Sequence, residues 1–230
     1  MVAENIDHIR ARIAGACTRT GRSAGEVTLI AVAKTFGSAL VREALRAGVP
    51  DVGENYVQEL LEKQEQLSAE QVRWHFIGHL QTRKVRSIVE RVGLIHSVDS
   101  LRLGREIAGC AARADKTMDI LVEVNTSGEA TKFGVSPQEA PGLVRELSAL
   151  PGLNVTGLMT IGPFLPDPES SRPAFRMLAA IRRELAGEGL SLPHLSMGMT
   201  NDFEVAIEEG STMVRIGTAI FGRRTKQPTV

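Results

Sequence analysis

Aromatic residues, cysteines and net charge are all scarce in this sequence of 230 residues. Only 4% of the residues are aromatic, and 27 Lys and Arg residues balance 27 Asp and Glu residues. A chain without net charge has no basic footprint for a nucleic-acid backbone, so we expect no nucleic-acid partner. The two cysteines, Cys17 and Cys110, form no CxxC pair and are too few for a disulfide framework.

Long apolar runs are also missing. No run approaches the ~18 residues that a membrane span needs, so we expect no membrane partner. Residues 1–15 carry charges throughout and have no apolar central segment, which is unlike a secretory signal. Together with the two isolated cysteines, these features predict a soluble protein of the reducing cytoplasm.

Eight short apolar runs are spread along the chain. Several are rich in β-branched residues and apolar on both faces, which is typical of strands buried in a parallel sheet. The predicted strands cover 28–34, 51–55, 72–78, 94–100, 118–126, 154–162, 194–199 and 213–222.

Amphipathic helical patterns precede the first strand and separate each later pair. One apolar stripe over 2–20 contains Ile6, Ile9, Ile13 and Cys17, and another over 169–186 contains Phe175, Leu178, Ile181 and Leu185. Weaker patterns cover 38–47, 56–67, 80–91, 100–114, 136–149 and 202–209. Ser100 and Ser136-Pro137 are candidate helix starts, and Gly48 and Gly187 are candidate ends.

The alternation of strand and helix predicts parallel pairing through right-handed crossovers. Eight such units favour an α/β fold of the (β/α)8 TIM-barrel type, with an extra N-terminal helix. An open doubly wound sheet is the alternative, but no GxGxxG motif follows the first strand. We expect one domain over 1–222 and a polar tail over 223–230.

Functional residues of such a barrel lie at the C-terminal ends of the strands. Lys34 closes the first strand, where a neutral amine could form a Schiff base; the alternative is a lysine that extends its ammonium to the rim. Strand alternation turns Arg215 and Gly217 into the barrel. A buried guanidinium needs a partner, which is either a bound group or a structural ion pair with Glu54, Glu123 or Asp99.

The stretch 196–210 passes from a strand into a helix that Thr200 or Asn201 could cap. With Gly217 and Thr218, it resembles the phosphate site that barrels build after strands seven and eight, although a plain capped helix is the alternative. His75 and His79 are four apart but not on a helix, and the other histidines are scattered, so we expect no metal site. Met159, Met197 and Met199 are assigned to the core or to the lining of a pocket.

Several blocks of the sequence resemble those of one family. They are AVAKT (31–35), GENYVQEL (53–60), WHFIGHLQ (74–81), HSVDS (96–100), VEVNTSGEATKFG (122–134), GLMTIGPF (157–164) and the long, specific block 196–222. They look like the pyridoxal phosphate homeostasis proteins, which are single-domain relatives of the alanine racemase barrel. The resemblance covers nearly the whole chain.

The resemblance implies that pyridoxal 5'-phosphate (PLP) is bound as a Schiff base on Lys34. Thr200 and the Gly217-Thr218 turn would hold the phosphate, and Ser196 would assist. Arg215 would lie against the pyridine nitrogen, while Asn55 and the region of His79 would line the mouth. The family is associated with management of the cellular PLP pool, and we assign no catalytic residue.

A PLP-dependent racemase is the alternative function. Racemisation needs a base on each face of the substrate carbanion, and Lys34 could serve only one. The sole tyrosine, Tyr56, is a candidate for the second base, although a partly buried residue at a helix start is the simpler interpretation. We therefore expect a monomeric carrier that is not an enzyme, with PLP and PLP-requiring apo-enzymes as its partners.

Overall fold

A closed barrel of eight parallel strands, paired in the order of the sequence, forms the centre of the molecule. The structure is a computed structural model, and it describes residues 1–222. The strands are β1 Thr28–Val32, β2 Asp51–Glu54, β3 Arg73–Phe76, β4 Leu94–Val98, β5 Met118–Glu123, β6 Leu153–Met159, β7 His194–Ser196 and β8 Met213–Ile216. The predicted fold class is confirmed, and the tail over 223–230 lies outside the described residues.

Helices surround the barrel and follow the predicted pattern. They are α1 Val2–Arg19, α2 Ser38–Arg46, α3 Val57–Gln66, α4 Val85–Ile88, α5 Leu101–Arg113, α6 Ala140–Ser148, α7 Arg172–Gly187, α8 Phe203–Glu208 and α9 Thr218–Phe221. The predicted apolar stripes of α1 and α7 are both buried, as amphipathic spacing requires. The extra N-terminal helix α1 packs against α2, α8 and α9. Within residues 1–222, no helix has the length and apolar character to cross a membrane.

Several predicted elements differ in extent, and most of the predicted strands end a few residues earlier. The predicted strand 213–222 ends at Ile216, and its second half is helix α9, because two N–H groups turn back to the carbonyl of Gly217. The predicted helix 80–91 is reduced to a 3-10 turn and the single turn of α4. Helix α6 begins at Ala140, although Ser136 caps the turn before it by accepting the N–H of Glu139 at 3.3 Å.

The barrel interior combines an apolar layer with buried polar side chains. Ile30, Leu94, Leu121, Met159 and Met213 form the apolar cluster, which is separate from the larger core between strands and helices. The strands also carry buried polar residues: Asp51, Glu54, His75, His96, Ser97, Glu123, Ser196 and Arg215. Buried polar groups are costly unless they are hydrogen-bonded. The hydrogen bonds of these residues therefore indicate which of them have a role beyond packing.

Candidate functional site

A cavity of about 540 Å³ opens at the C-terminal end of the barrel. Six of the seven residues predicted to bind a ligand line it: Lys34, Asn55, Thr200, Arg215, Gly217 and Thr218. The seventh, Ser196, does not line the cavity but contacts Arg215 from below, with 2.6 Å between Oγ and Nη1. Met199 belongs to the lining and Met159 and Met197 are buried, as expected.

The backbone on both sides of Lys34 is held by side chains of helix α3. The N–H of Thr35 donates to Glu59 Oε2 at 2.7 Å, and Lys63 Nζ donates to the carbonyl of Ala33 at 2.8 Å. Thr35 has a φ of 66°, which is a strained backbone conformation for a β-branched residue. These contacts therefore fix the direction in which Lys34 leaves its strand.

Lys63 is itself buried, and it bridges two carboxylates. Its Nζ lies 2.5 Å from Glu54 Oε1 and 3.0 Å from Glu59 Oε2. Burial raises the pKa of Glu54, and the ammonium of Lys63 opposes that shift. Lys63 was not among the predicted site residues, although its spacing of four residues from Glu59 on a helix was a visible signal. Glu54 is therefore a structural partner of Lys63.

Arg215 lies inside the barrel, as strand alternation predicts, and it is almost fully buried. Its Nη1 donates to Ser196 Oγ, and its Nη2 donates to the carbonyl of Thr160 at 2.9 Å. Burial lowers the pKa of Arg215 to about 10, so the guanidinium stays charged at neutral pH. In the described part of the chain, no ion pair joins Arg215 to Glu54, Glu123 or Asp99. Its direct partners are instead a hydroxyl and a carbonyl, and Glu123 attracts the guanidinium only from a longer distance.

Two hydroxyl groups meet at the wall of the cavity. Thr200 Oγ1 and Thr218 Oγ1 lie 3.4 Å apart, at the ends of two different loops. A Cβ at Gly217 would come within 3.2 Å of the carbonyl of Val32. A glycine at this position therefore lets the chain after β8 approach the end of β1. The first N–H groups of a helix have no partner within the helix, which adds backbone donors at Thr218.

The predicted caps of the preceding helix are wrong. Neither Thr200 nor Asn201 is the N-cap of α8, because Asp202 occupies that position. Asp202 Oδ1 accepts the N–H of Met199 at 2.7 Å, and Oδ2 accepts the hydroxyl of Ser171 at 2.9 Å. Asp202 thus closes the loop and leaves the side chain of Thr200 to face the cavity.

Asn55 supplies a buried acceptor at the cavity wall. Its Oδ1 has no hydrogen-bond partner among residues 1–222, although it is shielded from solvent. Gly78 allows the neighbouring strand end to approach, since a Cβ there would lie 2.2 Å from the carbonyl of Asn55. An unpaired buried acceptor is costly, and it is satisfied when a ligand donor reaches it.

The rim of the cavity is partly apolar. Pro163, Phe164 and Leu165 line it from the loop after β6, and the side chain of Phe164 is 85% exposed. His79 is not among the lining residues, and its ring stacks on Phe133 with 3.9 Å between centroids. Tyr56 is the N-cap of helix α3, as expected of a residue at a helix start, but it is 55% exposed rather than partly buried and does not line the cavity.

A second group of side chains that the sequence analysis missed crosses the barrel interior. At the N-terminal end, Arg73 makes two contacts with Asp51, and Asp51 Oδ1 lies 3.0 Å from His75 Nε2. His75 Nδ1 lies 3.1 Å from His96 Nε2, and His96 Nδ1 lies 2.9 Å from Ser196 Oγ. His75, which was considered only with His79, and His96, which looked scattered in the sequence, therefore belong to one hydrogen-bonded chain. It ends at Ser196, whose hydroxyl oxygen accepts a hydrogen bond from the Arg215 guanidinium.

The ionisable side chains along and near these hydrogen bonds differ in the direction of their pKa shifts. Burial alone would raise the pKa of Asp51, but hydrogen bonds from Arg73 and His75 lower it to about 2. Burial lowers the pKa of His96 well below its usual range, and burial raises the pKa of Glu123 to about 7. Among residues 1–222, no cluster of three or more His, Cys, Asp or Glu side chains could hold a metal ion.

Comparison with known proteins places the chain in a family. Residues 5–225 match the family model of the alanine racemase N-terminal domain. The protein from Aquifex aeolicus named pyridoxal phosphate homeostasis protein is 47% identical over 96% of this chain and 97% of its own length. Relatives of the same name from Pseudomonas aeruginosa and Escherichia coli are 44% and 39% identical, each over 97% of this chain and at least 96% of their own length.

Solved structures agree with this assignment. PipY of Synechococcus elongatus with PLP bound superimposes with a TM-score of 0.85 at 31% identity, covering 96% of this chain and all of that chain. An alanine racemase from Clostridium difficile shares only the fold, with a TM-score of 0.76 at 16% identity, covering 99% of this chain and 57% of that chain. The chain thus belongs to the pyridoxal phosphate homeostasis protein family, whose barrel is that of the alanine racemase N-terminal domain.

Proposed function

We propose that this protein binds PLP reversibly in the C-terminal cavity of the barrel, as a Schiff base on Lys34, and that it serves PLP homeostasis. One observation carries the proposal. A single cavity brings the amine of Lys34 together with two hydroxyl groups and the Arg215 guanidinium, in a chain 31% identical to a structure that holds PLP.

The groups in the cavity fit PLP. Its volume is in the range of small-ligand sites. The hydroxyl groups of Thr200 and Thr218 are donors for a phosphate, and the unpartnered Oδ1 of Asn55 is an acceptor for a ligand hydroxyl. Arg215 is a donor only, which suits an unprotonated pyridine nitrogen. Each polar part of PLP therefore has a complementary group among these residues.

The chemistry of attachment is a reversible condensation. The neutral amine of Lys34 adds to the aldehyde carbon of PLP, water leaves, and a carbon–nitrogen double bond forms. Addition of water reverses the step and releases PLP unchanged. The fixed backbone at Ala33 and Thr35 directs Lys34 toward the cavity, so that little chain ordering is needed on binding.

The racemase alternative has weaker support. A guanidinium at the ring nitrogen cannot give up a proton to it, so the ring would be a weak electron sink for carbanion chemistry. Tyr56, the candidate second base, does not line the cavity. The likeness to solved racemases is one of fold alone. A carrier that holds PLP and returns it is the function that these residues favour.

The proposal extends to partners and location. We propose that PLP-requiring apo-enzymes receive the cofactor, and that the protein acts as a monomer in the cytoplasm. The cavity reaches the surface beside the exposed side chain of Phe164, which gives PLP a direct path of exit. Transfer from the loaded protein to an apo-enzyme, followed by recovery of enzyme activity, tests this part.

The decisive experiment is an absorption spectrum of the PLP-loaded protein before and after borohydride. Reduction should fix PLP on the peptide that contains Lys34, and Lys34→Ala should give a folded protein without the Schiff-base band. Lys84→Ala, which changes an exposed lysine, is the matched control and should keep the band. A Lys34→Ala protein that keeps the band, with the label on another lysine, would overturn the assignment.

A second measurement separates carrier from enzyme. In heavy water, the loaded protein should exchange the α-hydrogen of alanine no faster than free PLP does. Interconversion of alanine enantiomers far above the rate with free PLP would favour the racemase instead.

A further inference from the structure

The hydrogen-bonded chain inside the barrel connects the N-terminal end of the strands to the cavity. It runs from Asp51 through His75 and His96 to Ser196, and Ser196 holds Arg215. Its members, with Arg215, come from β2, β3, β4, β7 and β8. All five side chains are less than a tenth exposed. Packing alone favours apolar side chains at such positions, so a buried polar path across a barrel needs another explanation.

The donors and acceptors of this chain run in one direction. The carboxylate of Asp51 only accepts, so His75 carries its proton on Nε2. Arg73 already balances the charge of Asp51, so the chain is electrically complete with both imidazoles neutral. His75 Nδ1 then accepts from His96 Nε2–H, and His96 Nδ1 accepts the hydroxyl proton of Ser196. Burial lowers the pKa of His96, which agrees with a neutral ring.

This direction determines what Ser196 offers to the guanidinium. Because its proton is given to His96, its oxygen presents lone pairs to Nη1 of Arg215 at 2.6 Å. The carbonyl of Thr160 holds Nη2 at 2.9 Å. Two of the five N–H groups of the guanidinium are thus engaged by acceptors that are themselves fixed. Without an acceptor at His96, the hydroxyl of Ser196 would rotate and this hold would weaken.

We propose that His96 and His75, anchored by Asp51, are positioning residues that hold Arg215 against the ring nitrogen of PLP through Ser196. The inference rests on the proposed function and deepens it, because it names residues outside the cavity that decide how strongly the ring nitrogen is recognised. Charge-assisted hydrogen bonds depend steeply on distance and angle, so a loosened guanidinium loses its preference for a nitrogen acceptor.

The test compares PLP with its analogue that carries carbon in place of the ring nitrogen. The unaltered protein should bind PLP about tenfold or more tightly than the analogue, because only PLP accepts the hydrogen bond from Arg215. His96→Leu should reduce that ratio to about threefold or less. His96→Asn keeps an acceptor near Nδ1 and should restore most of the ratio, whereas a merely structural role would give no such rescue.

The control is His194→Leu, which removes a half-buried histidine of β7 that no hydrogen bond joins to this chain within the described residues. It should keep the full preference for PLP. A His96→Leu protein with the same preference as the unaltered protein overturns the inference while the proposed function stands. If the unaltered protein does not form the Schiff base at all, the proposed function fails first.

Nitrogen NMR of the histidine rings of the unaltered protein does not depend on any variant folding. Both His75 and His96 should be neutral and carry the proton on Nε2. A proton on Nδ1 of His96 would reverse the chain, leave Ser196 as an acceptor from the imidazole, and overturn the inference.

Discussion

Replacing Lys63 by methionine is the most informative perturbation of the site, because this lysine never reaches the cavity. Lys63 is buried, pairs with the fully buried Glu54, and donates to the carbonyl of Ala33. Removing one partner of a buried ion pair leaves an uncompensated charge and costs about 3–5 kcal/mol. We therefore expect Lys63→Met to lower the free energy of unfolding by roughly that amount, measured by urea denaturation followed by circular dichroism.

The double variant Lys63→Met with Glu54→Leu separates the charge from the packing. With the buried charge of Glu54 also gone, two losses remain: the donor to Ala33, worth about 1–3 kcal/mol, and the partly exposed ion pair with Glu59, worth about 0–1 kcal/mol. The double variant should therefore be more stable than the single one. Lys84→Met at an exposed site should stay within about 0.5 kcal/mol of the unaltered protein. The reasoning is refuted if the double variant is no more stable than Lys63→Met.

Three further predictions concern the two threonine hydroxyls of the proposed phosphate site and two buried carboxylates. Thr200→Ala combined with Thr218→Ala should weaken PLP binding more than tenfold in a fluorescence titration, since each hydrogen bond to a charged acceptor contributes about 1.5–3 kcal/mol. The pKa of Asp51 falls from 3.8 to about 2 because its hydrogen bonds, Arg73 first, outweigh burial. Asp51→Asn should thus lose about 2.5 kcal/mol in urea denaturation at pH 7, and the difference should narrow as the pH falls from 4 to 2. Burial raises the pKa of Glu123 from 4.5 to about 7, so ionisation destabilises the fold as the pH rises. The same assay should show Glu123→Gln gaining up to about 3 kcal/mol over the unaltered protein between pH 5 and 8.

Residue pattern alone predicted the order of the elements, and it pointed to Lys34, Arg215, Gly217 and Thr218, which line the cavity. The place of Lys34 follows from the apolar run that it closes. The inward direction of Arg215 follows from the two-residue period of a strand. Both conclusions are local, because they depend on neighbours within a few residues along the chain. One wrong prediction was local as well: Thr200 and Asn201 were chosen as caps, whereas Asp202 takes that position and its side chain bonds to Met199 and Ser171.

What the sequence by itself determined is the barrel, the order of its strands and the family to which the chain belongs. Only the tertiary structure decided that His75 and His96 meet, and that His96 reaches Ser196, which lies 100 residues away. It also paired Lys63 with Glu54. The period of a strand shows which side chains face inward, but the stagger and closure of the barrel determine which of them touch. Contacts across the interior therefore exist only once all eight strands are in register.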